Sequence, residues 1–251
     1  MIVFVAGMAR SGSTWTFNVT REIIRAAGLK PIPEEQEQDE DALLQQVAQT
    51  DPGPQEVFCI KTHRMLRLRS DDIRLICNYR DMRSAALSFM RFMGCDFERT
   101  LKAVREMMEI TDFYRESCNE KQLLLVRYDD MMEQPQKVIL EIASLLGIAL
   151  QEPFAFHLAR KYSRENVKRL LESMQSIDVD QTFVQRQPGQ RFEPRYFSNN
   201  QGGVYDRRTS FHSGHLTSSN EDEWREYFTP EQQATLNELC GSWLERYGFA
   251  V

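Results

Sequence analysis

Apolar residues along this chain fall into two periods. The unbroken apolar run Ile2 to Val5 has the length and β-branched content of a strand covered on both faces, and Glu56 to Lys61, Ile73 to Tyr79 and Leu123 to Val126 read as further strands. Between them the spacing changes to that of helices. Trp15, Val19, Ile23 and Ile24 predict a helix over Thr14 to Ala27, stopped by Gly28-Leu-Lys-Pro31 in the usual glycine-then-proline order. A short helix is expected near Ala42 to Ala48, and Asp51-Pro-Gly-Pro54 breaks the chain before the next strand. Further helical patterns run to about Phe92, from Asp96 to Asn119, from Lys137 to Leu146 with Gly147 as its stop, from Phe154 to Met174 and from Pro230 to Tyr247. Strands alternating with helices specify an α/β fold with a parallel sheet of four or five strands and helices on both faces. From Asp178 to Asn220 the chain is rich in Gln, Arg, Gly, Ser and Asn, which predicts a long irregular loop.

The 251 residues and the hydrophobic fraction of 41% suit one domain, 1–251, with a single core. A net charge of −6 argues against general binding of nucleic acid or anionic membranes, which require a basic face. Met1 leads straight into the first strand and no apolar run approaches membrane-spanning length, so the expectation is a soluble, cytoplasmic protein. The five cysteines are isolated and odd in number, as reduced core residues are, and suggest no metal site. Oligomeric state stays open.

The chemistry begins at the end of the first strand. Gly7 and Gly12 enclose a turn between that strand and a helix, with Ser13 or Thr14 expected to cap the helix. The spacing is that of a P-loop, in which backbone N–H groups and the helix dipole hold phosphate. An ATP-binding loop carries Lys after the second glycine, whereas this chain has Ser13, followed by Thr14. A triphosphate fits poorly. A shorter 5′ group held by amides, the two hydroxyls and Arg10 fits better.

Arg10-Ser-Gly-Ser-Thr-Trp15 resembles the 5′-phosphosulfate loop of the sulfotransferase family. That resemblance implies a P-loop NTPase-like fold, 3′-phosphoadenosine 5′-phosphosulfate (PAPS) as donor, 3′-phosphoadenosine 5′-phosphate (PAP) as product, and no metal. Arg10, Ser11, Gly12, Ser13, Thr14 and Trp15 would form the loop. Cytosolic members usually carry Lys where Arg10 stands; Arg is more typical of the carbohydrate and tyrosyl-protein branches. Lys61 and His63, on one face of an extended strand end, resemble the family's Lys-Thr-His motif, in which His takes the acceptor hydroxyl's proton and Lys contacts the sulfuryl group. Arg80 with Ser88 eight positions on resembles the 3′-phosphate motif, and Tyr128 in Arg127-Tyr-Asp-Asp130 the residue near adenine.

In the carboxyl-terminal third, Glu223-Trp-Arg-Glu-Tyr-Phe-Thr229 again resembles the family, but its Arg-Lys-Gly motif is absent before Trp224. Arg207 or Arg208 could replace it. Arg186, Arg191 and Arg195 punctuate the same region, either in a solvated loop or closing over the nucleotide. The acidic run Glu34 to Asp41 reads as a solvated turn. The expected activity is sulfuryl transfer to a hydroxyl-bearing acceptor. Its rivals are a metal-dependent small-molecule kinase, for which Asp81 would hold magnesium, and a non-catalytic nucleotide-binding module.

Overall fold

The computed structural model describes residues 1–36, 40–67, 72–177, 179, 195–198, 203–214, 216 and 221–251. Five strands form one parallel sheet: β1 (Ile2–Gly7), β2 (Lys30–Ile32), β3 (Glu56–Lys61), β4 (Ile73–Tyr79) and β5 (Leu123–Arg127), in the order β2-β3-β1-β4-β5. The short β2 lies where the sequence pattern predicts only a helix stop. It is legible in neither period, because three residues are too few to show one.

Alternate residues of β1 serve opposite faces. Val3 and Val5 pack with α1 (Ser13–Ala26), α6 (Pro135–Leu145) and α7 (Glu152–Lys161). Phe4 and Ala6 pack with Leu43 and Val47 of α2 (Glu40–Gln49) and with Ile110 and Tyr114 of α4 (Phe97–Ser117). A further cluster joins α3 (Met82–Met93), α4 and α10 (Pro230–Arg246), including Met82, Val104, Trp243 and Leu244. Helices therefore cover both faces, which is why β1 and its neighbours are apolar without alternation.

The chain grows from β1 to β3 on one side and then crosses to β4 and β5 on the other. That reversal opens a crevice beyond the strands' carboxyl ends, the place where open α/β sheets bind ligands. β5 runs directly into a short helix, α5 (Tyr128–Glu133), and the helical pattern over 154–174 is divided at Tyr162 and Ser163 into α7 and α8 (Arg164–Gln175). Ser163 caps the second helix, accepting from the Asn166 amide at 3.3 Å.

Within 178–220, where an irregular loop is expected, the described residues include an antiparallel pair: β6 (Tyr196–Ser198) and β7 (Val204–Asp206). Val204 and Phe211 share a small cluster with Val167, Leu171 and Met174 of α8. Asp206 is the local tie, accepting both Arg195 nitrogens at 2.9 Å. Arg186 and Arg191 lie outside the described residues.

Cys59, Cys77 and Cys240 are buried and unbridged, and burial raises each thiol above its usual range, so they stay neutral. Among the described residues no helix is long and apolar enough to cross a membrane.

At the top of β1, Gly7 adopts φ 110°, and a Cβ there would stand 2.5 Å from the Asn78 carbonyl oxygen of β4. Gly7→Ala therefore adds both a left-handed backbone penalty and a backbone clash. The expected loss is roughly 2–5 kcal/mol of stability, read from chemical denaturation. A variant as stable as the parent would show that β1 and β4 are not this close.

Candidate active site

The loop from Met8 to Gly12 is closed on itself, the Ser11 hydroxyl donating to the Met8 carbonyl at 2.6 Å. Arg10 sits at φ 65°, an uncommon conformation for a side chain of its size, and Gly12 at φ 89°. Gly12, not Ser13 or Thr14, occupies the N-cap of α1, without a side-chain cap. The left-handed turn brings the helix in one residue earlier than the hydroxyls suggest. Ser13 and Thr14 thus occupy the first turn, whose amides an α-helix leaves without intrahelical acceptors. The φ of Gly12 favours glycine, and a Cβ there would also come 2.5 Å from Met131 Cε, forcing that side chain to shift. Trp15 anchors the turn through its indole N–H, which donates to the Tyr162 carbonyl at 3.0 Å.

Arg10 leans across this loop. Its Nε donates to the Ser88 hydroxyl at 3.0 Å, and its guanidinium lies 4.3 Å from the Phe92 ring centroid. Burial, and then the nearby Arg80, bring its pKa down to about 10, so it remains a cation at neutral pH.

Lys61 is the last residue of β3, and His63 lies two positions beyond it. Lys61 Nζ is 3.4 Å from His63 Nε2, and His63 Nδ1 is 2.9 Å from the Gly7 carbonyl. A carbonyl can only accept, so Nδ1 carries the proton and Nε2 presents a lone pair. Burial, Lys61 and Arg10 push the imidazole from 6.5 to about 3, the Gly7 contact opposing them. Burial and two cations outweigh one hydrogen bond. His63 is consequently neutral, with its basic nitrogen on the Lys61 side.

Arg80 leaves β4 and lies 4.2 Å from the Tyr128 ring centroid. It is 4% exposed, and its guanidinium forms a two-point contact with the Glu221 carboxylate while also donating to the Arg10 carbonyl at 3.2 Å. The Ser84 hydroxyl donates to the Glu221 carbonyl as well. The expected Arg80–Ser88 pair is thus divided: Ser88 meets Arg10, and Arg80 meets Glu221. Glu221 has no signal in the sequence beyond its place where the Arg-Lys-Gly motif is missing. Asp81 turns away to cap α3 and holds Arg83, with contacts of 2.8, 3.1 and 2.7 Å.

These strand ends enclose a cavity of about 590 Å³. Arg10, Gly12, Ser13, Thr14 and Trp15 line it with Lys61, His63, Arg80, Ser88 and Tyr128; Ser11, its hydroxyl turned to Met8, does not. Beyond the cations and the hydroxyls much of the wall is apolar, with Phe89, Phe92, Met93, Met132, Val167 and Phe211. None of the described lining residues is acidic. Sequence reasoning misses His212, which also lines the cavity. It lies 4.5 Å from the Phe92 ring centroid and accepts the Gly214 amide on Nδ1 at 3.1 Å. Its place becomes visible only once the chain turns back after β7, where His212 bridges Tyr205 and packs on Phe92. Arg207 and Arg208, the alternatives for the missing motif, pair with Glu35 at 3.4 and 3.0 Å and do not line the cavity.

A family profile described as the sulfotransferase domain matches residues 2–248. No curated protein matches the chain by sequence. Among solved structures, mouse sulfotransferase SULT7A1 complexed with PAP is similar with a TM-score of 0.64 and 17% identity, covering 97% of this chain and 83% of that one. Retinol dehydratase in complex with androsterone and the inactive cofactor PAP gives 0.62 and 16%, over 97% and 80%. Retinol dehydratase with retinol and PAP gives 0.60 and 17%, over 97% and 81%. At such identities the structural likeness concerns the fold.

The two imidazoles generate a prediction. Burial, Arg10 and Lys61 lower His212 to about 4, as His63 is lowered to about 3. Both folded values lie below the ordinary 6.5, so protonation favours the unfolded chain. Their contribution to stability is present above pH 6.5 and is lost as pH falls through the window toward 4 and then 3. In NMR titration, neither ring should protonate between pH 8 and 5. A ring titrating near 6.5 would place it in water instead.

Proposed function

This chain belongs to the sulfotransferase domain family, and from that premise we propose that it transfers the sulfuryl group of PAPS to the hydroxyl of a lipophilic acceptor, with His63 as base. The observation that carries the reading is the convergence, beyond four strand ends, of the Gly7–Trp15 loop, the Lys61–His63 pair, Arg80 and Tyr128 on one cavity.

The amides at the start of α1, with Ser13 and Thr14, suit the 5′-phosphate end of the donor. Arg80 suits the 3′-phosphate. Its two-point contact with Glu221 is the geometry in which a guanidinium takes two oxygens of an anion, and a phosphate there would replace that carboxylate. Tyr128 beside it suits the adenosine. In the reaction the acceptor oxygen attacks sulfur in line as the bond from sulfur to the 5′-phosphate oxygen breaks, and that bond's electron pair leaves with PAP. The hydroxyl proton passes to His63 Nε2. Arg10 and Lys61 offset the charge that develops on the sulfuryl and leaving oxygens. Because His63 is held neutral well below pH 6.5, the rate's dependence on this base moves to the acid side of the neutral-range ionisation that an unperturbed imidazole suggests.

The acceptor class follows from the wall. Aromatic and methionine side chains offer a hydroxyl compound burial but few hydrogen bonds, and with no acidic group among the described lining residues a cationic acceptor has no counterion. Androsterone and retinol, held by similar structures, are of the kind favoured here.

Arg80→Ala should weaken PAP by about 1.5–3 kcal/mol, tenfold or more in Kd by calorimetry, and leave adenosine 5′-phosphate almost unchanged. Equal losses for both nucleotides would remove Arg80 from the 3′-phosphate. With labelled PAPS, a phenol or long-chain alcohol should be sulfated in preference to a monosaccharide. Turnover of the monosaccharide alone would overturn the acceptor assignment.

A further inference from the structure

The segment between β2 and α2, read from sequence as a solvated acidic turn, contains a buried Gln36 at 6% exposure. Its neighbours are equally tethered. The buried Arg21 guanidinium donates to the carbonyls of Pro33 at 2.8 Å and Glu34 at 2.9 Å, drawing the segment down onto α1.

β2 pairs with β3 only through Lys30↔Glu56, Pro31↔Val57 and Ile32↔Phe58, then leaves the sheet. Further along β3 the Thr62 amide turns to the Val5 carbonyl of β1 at 3.0 Å, so the peptide groups of Lys61, one residue earlier, face the opposite edge. Among the described residues no backbone strand reaches them there. Gln36 does: its Oε1 accepts the Lys61 amide at 2.8 Å, and its Nε2 donates to the Lys61 carbonyl at 2.6 Å. A primary amide is the side chain that supplies a donor and an acceptor in one plane, as a neighbouring peptide would. Gln36's own amide donates to the Arg207 carbonyl at 3.1 Å, tying in the turn that leads to Ser210, Phe211 and His212 on the cavity wall.

We propose that Gln36 is a positioning residue for sulfuryl transfer: it extends the sheet by one side chain to hold the Lys61 peptide, and thereby keeps Lys61 Nζ and His63 Nε2 aligned with the loop after β1. The inference rests on the reading of the site given above. Gln36 lines no part of the cavity and touches neither Arg80 nor the loop amides, so it acts through Lys61. The charged groups facing His63 are Lys61 from its own strand end and Arg10 from the loop, opposed by the Gly7 carbonyl. If Lys61 withdraws, part of the depression of His63 goes with it.

The test uses Gln36→Ala and the isosteric Gln36→Glu in the full chain. Glu keeps the size but turns an acceptor toward the Lys61 carbonyl. Both variants should lose about 10–100-fold in kcat, the scale of a small misplacement at a reacting centre, while PAP affinity by calorimetry stays within about threefold. The His63 ring, followed by NMR, should protonate at higher pH than in the parent. A parent-like kcat, a kcat that falls in step with PAP affinity, a lowered kcat with an unmoved His63 ionisation, or loss of fold in both variants would overturn the role. A parent that transfers no sulfuryl group would instead defeat the reading of the site, while the His63 titration would still report whether Gln36 holds Lys61.

Discussion

The peptide of Gly7 is the constraint on which the site depends. Its α-carbon is pressed against Asn78 of β4 so closely that no side chain fits, and its carbonyl fixes the proton of His63 on Nδ1. One glycine therefore sets the angle at which the chain leaves β1 for the Met8–Gly12 turn and the tautomer of the imidazole arriving from β3. The Asn78 side chain completes the junction by donating to the Thr16 hydroxyl on α1 at 2.8 Å, joining β4 to the helix whose amino end lines the cavity. Sheet packing and site chemistry are the same contacts at this point.

The electrostatics of the cavity follow from crowding cations around an apolar hole. Arg10, Lys61 and Arg80 cannot share that volume at no cost. The protein offsets part of it with π faces, Phe92 beside Arg10 and Tyr128 beside Arg80, and with the Glu221 carboxylate. The remaining positive potential suits a multiply charged nucleotide and adds to the burial that holds both imidazoles neutral. A neutral His63 beside Lys61 can take a proton without a carboxylate to assist it. Among the described residues of the acidic segment, Glu34 and Glu35 are paired with Arg207 and Arg208, and Asp41 with Arg64.

Much of this was legible in the sequence because it is local. The run Ile2 to Val5, the glycines at 7 and 12 and the Lys61-Thr-His63 spacing each report their own backbone, and four strand ends carrying motifs lead to one crevice once the sheet is parallel. What escaped was non-local or short. The strand at Lys30–Ile32 has too few residues to show a period; Gln36 pairs with Lys61 across 25 positions; Glu221 meets Arg80 across 141. His212 reaches the wall where the chain turns back to bridge Tyr205, in a stretch whose polar composition suggests a loop. The capping of α1 by Gly12 rather than a hydroxyl was obscured by three adjacent residues that all make good caps.

Transfer of the acceptor's proton to His63 Nε2 is the central step of the proposed reaction, and His63→Ala followed by turnover and PAP titration together tests it. The substitution removes the acceptor of the hydroxyl proton and leaves the loop, Arg80 and Tyr128 in place. Turnover of labelled PAPS should fall by about 10²–10⁴-fold with the Kd for PAP nearly unchanged. A variant that transfers sulfuryl groups at close to the parent rate, or one whose activity falls only as far as its affinity for PAP, would contradict it.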